Sequence, residues 1–408
     1  MDEDRERGAH DVTSEQAEAR HVVCGIVPPY LLERIAGLEA PHLGRAATAA
    51  RYSLLVTRPY RFPEPGRAAA PVQGSQDEPN ALDVRDMRNV RDAATNLDYP
   101  APAATRAPAG PPAPIPGPHR EISDADRTET LPGRLIRTEG APEDQDSSVN
   151  EAYDGLGATH RLFAEAYRRN SIDDRGLPLF ATVHYGDDYD NAFWNGERMV
   201  FGDGDGEVFR GFTRSLSVIG HELSHGVTQF TAGLVYQGQS GALNEHVSDV
   251  FGALVEQYAS RQRAADASWL IGVGLFTDQV EGEALRSMIH PGTAYDDDVL
   301  GKDPQPAHFD DYVETSDDEG GVHLNSGIPN RAFAVAATTL GGNAWERTGQ
   351  VWYDTLTATG TGALSPTVDF AGFAAATLRA ASLRYGVGSD VHRAVATGWD
   401  AVGVTPTV

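Results

Sequence analysis

Apolar residues in this chain recur in two rhythms, and one gives way to the other part-way along. Over 151–170, Ala152, Leu156, Thr159, Leu162, Phe163, Ala166 and Tyr167 share one face at helical spacing. Residues 180–185 alternate instead, as a half-buried strand does. Residues 194–201 place Asn195-Gly196 between two strand-like arms, which predicts a hairpin. Helical spacing returns over 215–230 and 241–260. It persists after Asn325 in segments near 327–341, 344–358, 368–385 and 389–401, broken by glycines. Strands early and helices late predict an α+β fold: a β-rich N-terminal lobe over 119–240 and a mainly helical C-terminal domain over 241–408.

Upstream the pattern thins. Residues 1 to about 20 are polar and are expected to be disordered. Residues 21–58 carry apolar stretches, Val22-Val23 and Tyr30-Leu31-Leu32 on to Leu38, that suit folding onto another surface. Residues 59–118 read as a variable, Pro-rich linker, with eight prolines in 100–118 alone. Such a stretch is extended, semi-rigid and without a core. Linkers of this kind are where proteases cut, so the mature protein is expected to begin near 117–121.

Charge narrows the functional classes. The formal net charge is −26, from 59 acidic against 33 basic residues, and Lys302 is the one lysine. Such a surface repels nucleic acid and anionic membranes. Cys24 is the one cysteine, so no intramolecular disulfide forms. Residues 1–20 are charged and lack the apolar core of a secretory signal, and no apolar run approaches the ~20 residues of a membrane helix. The expectation is a cytoplasmic protein, or one exported without a classical signal peptide.

The candidate chemistry lies in His221-Glu222-Leu223-Ser224-His225. Residues four apart on a helix share a face, so His221 and His225 can hold one Zn²⁺, and Glu222 can reach a water on it. Catalytic zinc takes a third protein ligand. Glu245 supplies one on the second helix, and Asp249, one turn on, is placed to accept the N–H of a zinc-bound imidazole. Glu222 is then the candidate general base.

At this point the chain resembles the thermolysin-like zinc metallopeptidases. That family carries H-E-x-x-H followed by N-E-x-x-S-D at the spacing seen here. Asn191-Ala192-Phe193-Trp194-Asn195-Gly196, the glycine-rich 201–206, Thr231 to Gln237 and Gly320-Gly321-Val322-His323-Leu324-Asn325 agree as well. The likeness runs from about residue 119 to the C-terminus. Cys24-Gly25-Ile26-Val27-Pro28-Pro29-Tyr30 is similar to the short propeptide of the protealysin-like branch, which makes 1–58 a propeptide.

The resemblance implies a neutral endopeptidase with its zinc in the cleft between the two domains, made as a self-processing zymogen. It implies that Tyr236 and His323 stabilise the oxyanion, with Asp318 holding His323 charged. It implies that peptide adds as a strand along Asn191, Ala192 and Trp194, with Asn191 and Arg286 holding its backbone. Phe209, Val218, Ile271 and Leu285 would line a pocket for a hydrophobic residue just after the cut bond. Pro28, Pro29 and Tyr30 would dock in the cleft and keep the precursor inactive. The partners are then a peptide or protein substrate and the chain's own propeptide, with room for a protein inhibitor.

The chain departs from the family at calcium. Glu256 matches one acid of the family's double calcium site, but Ser217 and the apolar stretch 266–274 stand where others belong. Ca²⁺ wants six to eight oxygens, so the double site is expected to be absent. Asp203 and Asp205 remain candidate oxygen ligands for a single ion. Cys24 reads as an inert thiol, with a zinc-ligand role as its rival. Two other functions compete: a zinc aminopeptidase, and a catalytically silent zinc-binding protein on the same scaffold.

Overall fold

The computed structural model describes residues 25–61 and 114–407. The expectations for Cys24, for disorder over 1–20 and for most of the Pro-rich linker fall outside these residues.

The described chain starts with two helices, α1 (Pro29–Ala36) and α2 (Gly44–Arg61). Pro29 opens α1 at a position where a missing N–H costs nothing, and Leu31, Leu32 and Ile35 form its buried face. α2 buries Ala46, Ala50, Ser53 and Thr57, which recur at helical spacing. Both helices lie on the rest of the molecule. Arg34 donates to the carbonyls of Asp298 and Val299. Arg45 pairs with Asp188 at 2.5 Å, the Ala46 N–H donates to Glu207, and the Asp190 N–H donates to Ser53 Oγ.

The β-rich part follows: β1 (Arg120–Asp124), β2 (Arg134–Thr138), α3 (Ser147–Tyr167), β3 (Leu179–Val183), β4 (Ala192–Trp194) and β5 (Arg198–Phe201). The sheet order is β2-β1-β3-β5-β4. β1, β3 and β5 run parallel, and β2 and β4 lie antiparallel at the two borders. β4 and β5 are the hairpin that Asn195-Gly196 predicts: Gly196 takes φ +98°, and Asn195 Oδ1 accepts from the Glu197 and Arg198 amides. β4 is buried although it stands at the border of the five-stranded sheet, because residues 25–27 lie along its outer side. Gly25 bridges Phe193 in antiparallel fashion, and Ile26 N–H donates to Ala192 O at 3.0 Å.

The helical part begins with α4 (Leu216–Gln229) and α5 (Gly238–Ser260). Their close approach is written in two glycines. A Cβ on Gly220 would sit 3.1 Å from Gly252 Cα, and one on Gly252 would sit 2.5 Å from Ser217 O. Short strand pairs β6–β7 (Leu270–Ile271, Arg286–Ser287) and β8–β9 (Asp296–Asp297, Gly301–Lys302) come next. Then follow α6 (Asp318–Asn325), α7 (Gly327–Leu340), α8 (Thr348–Leu356), α9 (Phe370–Tyr385) and α10 (Asp390–Asp400). Four of the five match segments expected from periodicity. No helix among the described residues is long and apolar enough to cross a membrane.

One polar clamp ties the sheet to α3. Asp146 caps α3 by accepting the Ser148 N–H, and its other oxygen lies 2.7 Å from His184 Nε2. His184 Nδ1 faces Asp203 at 2.8 Å. The hydrogen bond to Asp203 leads in raising the His184 imidazole to about 9, against burial, so it stays charged between two carboxylates. A raised histidine stabilises fully below its unfolded value near 6.5 and stops doing so as pH climbs through about 9. Stability is therefore expected to fall between those limits by on the order of 1–2 kcal/mol, reduced from the full shift because the cluster is partly in solvent. Urea titrations of wild type and His184→Gln across that range check it: the mutant should show a flatter profile.

Candidate metal centre and cleft

α4 presents His221 and His225 toward α5 and Glu222 toward β4, and α5 presents Asn244, Glu245, Ser248 and Asp249 in return. The two imidazole Nε2 atoms lie 3.0 Å apart. Glu245 comes to 3.6 Å from His221 Nε2 and 3.5 Å from His225 Nε2. Among the described residues these three form the one group able to hold a metal ion.

The proton positions show what fits there. His221 Nδ1 faces Asp249 Oδ1 at 2.8 Å, and a carboxylate only accepts, so that nitrogen carries hydrogen. Asn244 donates its amide to Leu234 O, which turns its carbonyl oxygen toward His225 Nδ1 at 2.9 Å. Burial holds the His225 imidazole down to about 4, hence neutral. A cation between the two Nε2 atoms would take a nitrogen lone pair from each. Zinc–nitrogen bonds of ~2.0–2.1 Å in a tetrahedron put two nitrogens about 3.3 Å apart, close to the spacing found. Burial acts to raise Glu245, but the charged groups around it, His323 foremost, outweigh it and hold the carboxyl at about 2. The donor set is thus two imidazole nitrogens and a carboxylate, as Zn²⁺ takes.

Sequence reasoning placed Asp249 but missed how fully it is used. Its oxygens accept from His221, from Arg286 Nη2 at 2.8 Å and Nε at 3.0 Å, and from Asn330 Nδ2 at 2.8 Å. Burial alone would raise this carboxyl; Arg286 and His221 keep it ionised, far below the usual range. Asn244 and Ser248, 3.1 Å from His225 Nδ1, were missed as partners of the second imidazole. The available signal was that a buried imidazole needs a partner for each nitrogen.

Glu222 is fully buried. Its Oε2 accepts the Trp194 N–H at 3.0 Å, and its Oε1 has no hydrogen-bond partner among the described residues. Burial first, then the nearby Glu245, push its carboxyl well above the usual range. Tyr236 OH donates to Glu245 Oε1 at 2.5 Å and stands 3.4 Å from His323 Nε2. Asp318 takes His323 Nδ1 at 2.5 Å with one oxygen and the His323 N–H with the other. Burial opposes the charge on His323, but Asp318 and Glu245 together raise it above its ordinary value. The turn that makes this double contact is unusual. Asp318, Glu319, Gly320 and Gly321 all take positive φ, between 51° and 83°. Each non-glycine residue there costs on the order of 1–2 kcal/mol.

The remaining cleft residues gather along β4. Asn191 Oδ1 accepts the Val27 N–H at 3.0 Å, and its amide reaches Val27 O at 3.4 Å. Ala192 O accepts from Ile26, and Arg286 Nη1 donates to Ile26 O at 3.1 Å. Trp194 turns its backbone N–H to Glu222 and its indole N–H to Gln229. Phe209, Val218, Ile271 and Leu285 are buried in the same apolar cluster as Ile26 and Val27. Pro28 is buried, and Pro29 opens α1. The Tyr30 ring packs against that cluster, and its hydroxyl, pushed up by burial, hydrogen-bonds Tyr295.

At the calcium positions, Ser217 Oγ accepts the Gly272 N–H and meets Glu256, whose carboxyl burial pushes up. Asp203 is engaged by His184, and Asp205 accepts the Glu207 and Val208 amides. Addition of a calcium-selective chelator at constant zinc is expected to leave the melting temperature within about 2 °C; a larger fall shows that calcium is bound.

A zinc-type His/His/Glu centre on two crossed helices, beside a sheet border that receives an extended strand, defines a metallopeptidase. Residues 123–229 match the family model of the thermolysin metallopeptidase catalytic domain, and residues 232–404 match that of its alpha-helical domain. The chain belongs to the thermolysin metallopeptidase family and is a zinc-dependent metalloendopeptidase. It is 54% identical over 286 residues to an extracellular metalloprotease of Pectobacterium carotovorum subsp. carotovorum, covering 70% of this chain and 81% of that one. It is 39% identical over 269 residues to a thermolysin of Alicyclobacillus acidocaldarius subsp. acidocaldarius, covering 64% of this chain and 46% of that one. Among solved structures it is similar to the precursor of protealysin, a metalloproteinase from Serratia proteamaculans. The TM-score is 0.75 at 43% identity, with 94% of this chain and 100% of that one covered.

Proposed function

We propose that this chain is a zymogen of a neutral endopeptidase that cuts on the N-terminal side of hydrophobic residues, with residues 25–30 of its own propeptide holding the cleft. The observation that carries this reading is the backbone pairing of Ile26 and Val27. Ile26 uses its N–H on Ala192 and its carbonyl on Arg286, and Val27 uses both backbone groups on Asn191. A peptide substrate adding as a strand would need those same partners.

In the uncovered enzyme, bound zinc at His221, His225 and Glu245 supplies Lewis-acid polarisation and a more acidic water. Asn191, Ala192 and Arg286 fix the substrate backbone, with Trp194 continuing the strand. Glu222 Oε1 takes the proton of the attacking water and returns it to the leaving amine. Tyr236 OH and the charged His323, held by Asp318, donate to the developing oxyanion. Phe209, Val218, Ile271 and Leu285 favour an apolar side chain after the cut bond, which Ile26 would mimic. The extracellular naming of relatives favours action outside the producing cell.

Incubating purified full-length protein with zinc, followed by N-terminal sequencing and intact mass, tests the reading. We expect a new N-terminus near residues 117–121 and a rise in casein hydrolysis with its appearance. Full activity of the uncut chain would exclude latency.

A further inference from the structure

Behind the metal centre runs a buried hydrogen-bonded chain that the proposed chemistry does not use. Trp352 on α8 donates its indole N–H to His246 Nε2 at 2.7 Å. His246 Nδ1 meets Asn330 Oδ1 on α7 at 2.8 Å. Asn330 Nδ2 meets Asp249 Oδ2 at 2.8 Å, and Asp249 Oδ1 meets His221 Nδ1 at 2.8 Å. Trp352, His246, Asn330, Asp249 and His221 are each at most 1% exposed.

The direction of every bond is forced from the outer end. An indole N–H donates and cannot accept, so His246 Nε2 must be the accepting nitrogen. A neutral imidazole then carries its hydrogen on Nδ1 and donates it to the Asn330 carbonyl oxygen. That fixes the Asn330 amide with its NH₂ toward Asp249. Asp249 is left with all its acceptor positions filled, two by Arg286, one by Asn330 and one by His221. With no oxygen free to turn, the carboxylate holds a hydrogen of His221 on Nδ1; in the neutral ring that a zinc ligand requires, this leaves the lone pair on Nε2.

We propose that Trp352, His246 and Asn330 are positioning residues for the zinc ligand His221: they lock the orientation of Asp249, and through it the tautomer and aim of the imidazole. The proposal rests on the reading of His221 as a zinc ligand. It involves no proton transfer and no change of charge, only hydrogen direction. Groups behind a metal ligand typically change metal affinity by 10- to 100-fold when removed. His246 also packs edge-on against Phe373, with ring centroids 5.9 Å apart, and that contact lies outside the hydrogen-bonded chain.

The test is zinc release from the purified full-length protein into excess 4-(2-pyridylazo)resorcinol, alongside thermal melting of each variant. His246→Phe removes both links and should speed release roughly 10-fold or more. Trp352→Phe keeps the ring shape, frees the His246 tautomer, and should speed release about 3- to 10-fold. Phe373→Leu should lower the melting temperature and leave release within about twofold of wild type. Release within about twofold of wild type in Trp352→Phe overturns the proposal, even if His246→Phe fails to fold. So does acceleration in Phe373→Leu equal to that in Trp352→Phe at equal loss of melting temperature, because the chain would then be ordinary core. A wild-type protein that neither holds nor takes up stoichiometric zinc overturns the zinc reading itself, a distinct result, and this proposal with it.

Discussion

Glu222→Gln is expected to lower peptide hydrolysis by about 10³-fold or more while zinc content stays at one ion per chain. The substitution keeps the side chain's length and an oxygen for the Trp194 N–H, so the β4–α4 contact survives. What it removes is basicity at Oε1, the buried oxygen without a hydrogen-bond partner among the described residues. Glutamine also adds an N–H donor where the reaction needs an acceptor. Without a base the attacking water keeps its proton, and general-base contributions of 10²- to 10⁴-fold are the size of the loss. The same variant should remain full length on incubation with zinc, since any self-processing uses the same group. Casein hydrolysis and metal content by mass spectrometry measure the two halves. Activity equal to wild type would defeat the assigned role of Glu222.

Asp249→Ala is expected to cost about 3–5 kcal/mol of stability and to weaken zinc binding as well. Removing the carboxylate takes from the buried Arg286 guanidinium the charge it is hydrogen-bonded to and leaves it, among the described residues, the backbone carbonyl of Ile26. It also leaves the hydrogen on His221 Nδ1 and one on Asn330 Nδ2 without acceptors. An isolated buried charge is among the few single changes that cost this much. Urea denaturation with and without excess zinc separates the two effects: the stability loss should persist when zinc is absent. A loss below about 1 kcal/mol in the zinc-free protein would show that the cluster relaxes to let water reach Arg286.

Much of this architecture is legible in the amino-acid sequence. The helices carrying His221, His225 and Glu245 announce themselves by spacing, since a helix turns the i, i+4 pattern directly into a shared face. The Asn195-Gly196 hairpin is local chemistry of the same kind. Sheet order was not readable, because β1 pairs with β3 across the whole of α3 and nothing in either strand names its neighbour. The partners of the metal site were harder still. Asn330 lies 81 residues from Asp249, and Trp352 lies 106 residues from His246. A tryptophan in an apolar run reads as packing; only the fold shows its N–H against an imidazole. The left-handed turn of Asp318 to Gly321 was half visible, in two adjacent glycines, but two acidic residues at positive φ ahead of them go against local preference.

The exposed border that β4 would present without residues 25–27 has a bearing on what such an enzyme can digest. A strand joins it only by offering a free row of amides and carbonyls, and segments already paired inside a stable protein have none to give. Compact, well-folded neighbours should therefore be cut slowly, at frayed ends and long loops. Damaged, heated or newly synthesised chains should be consumed quickly. Discrimination of that sort comes from the backbone requirement of one three-residue strand, before any side chain is consulted.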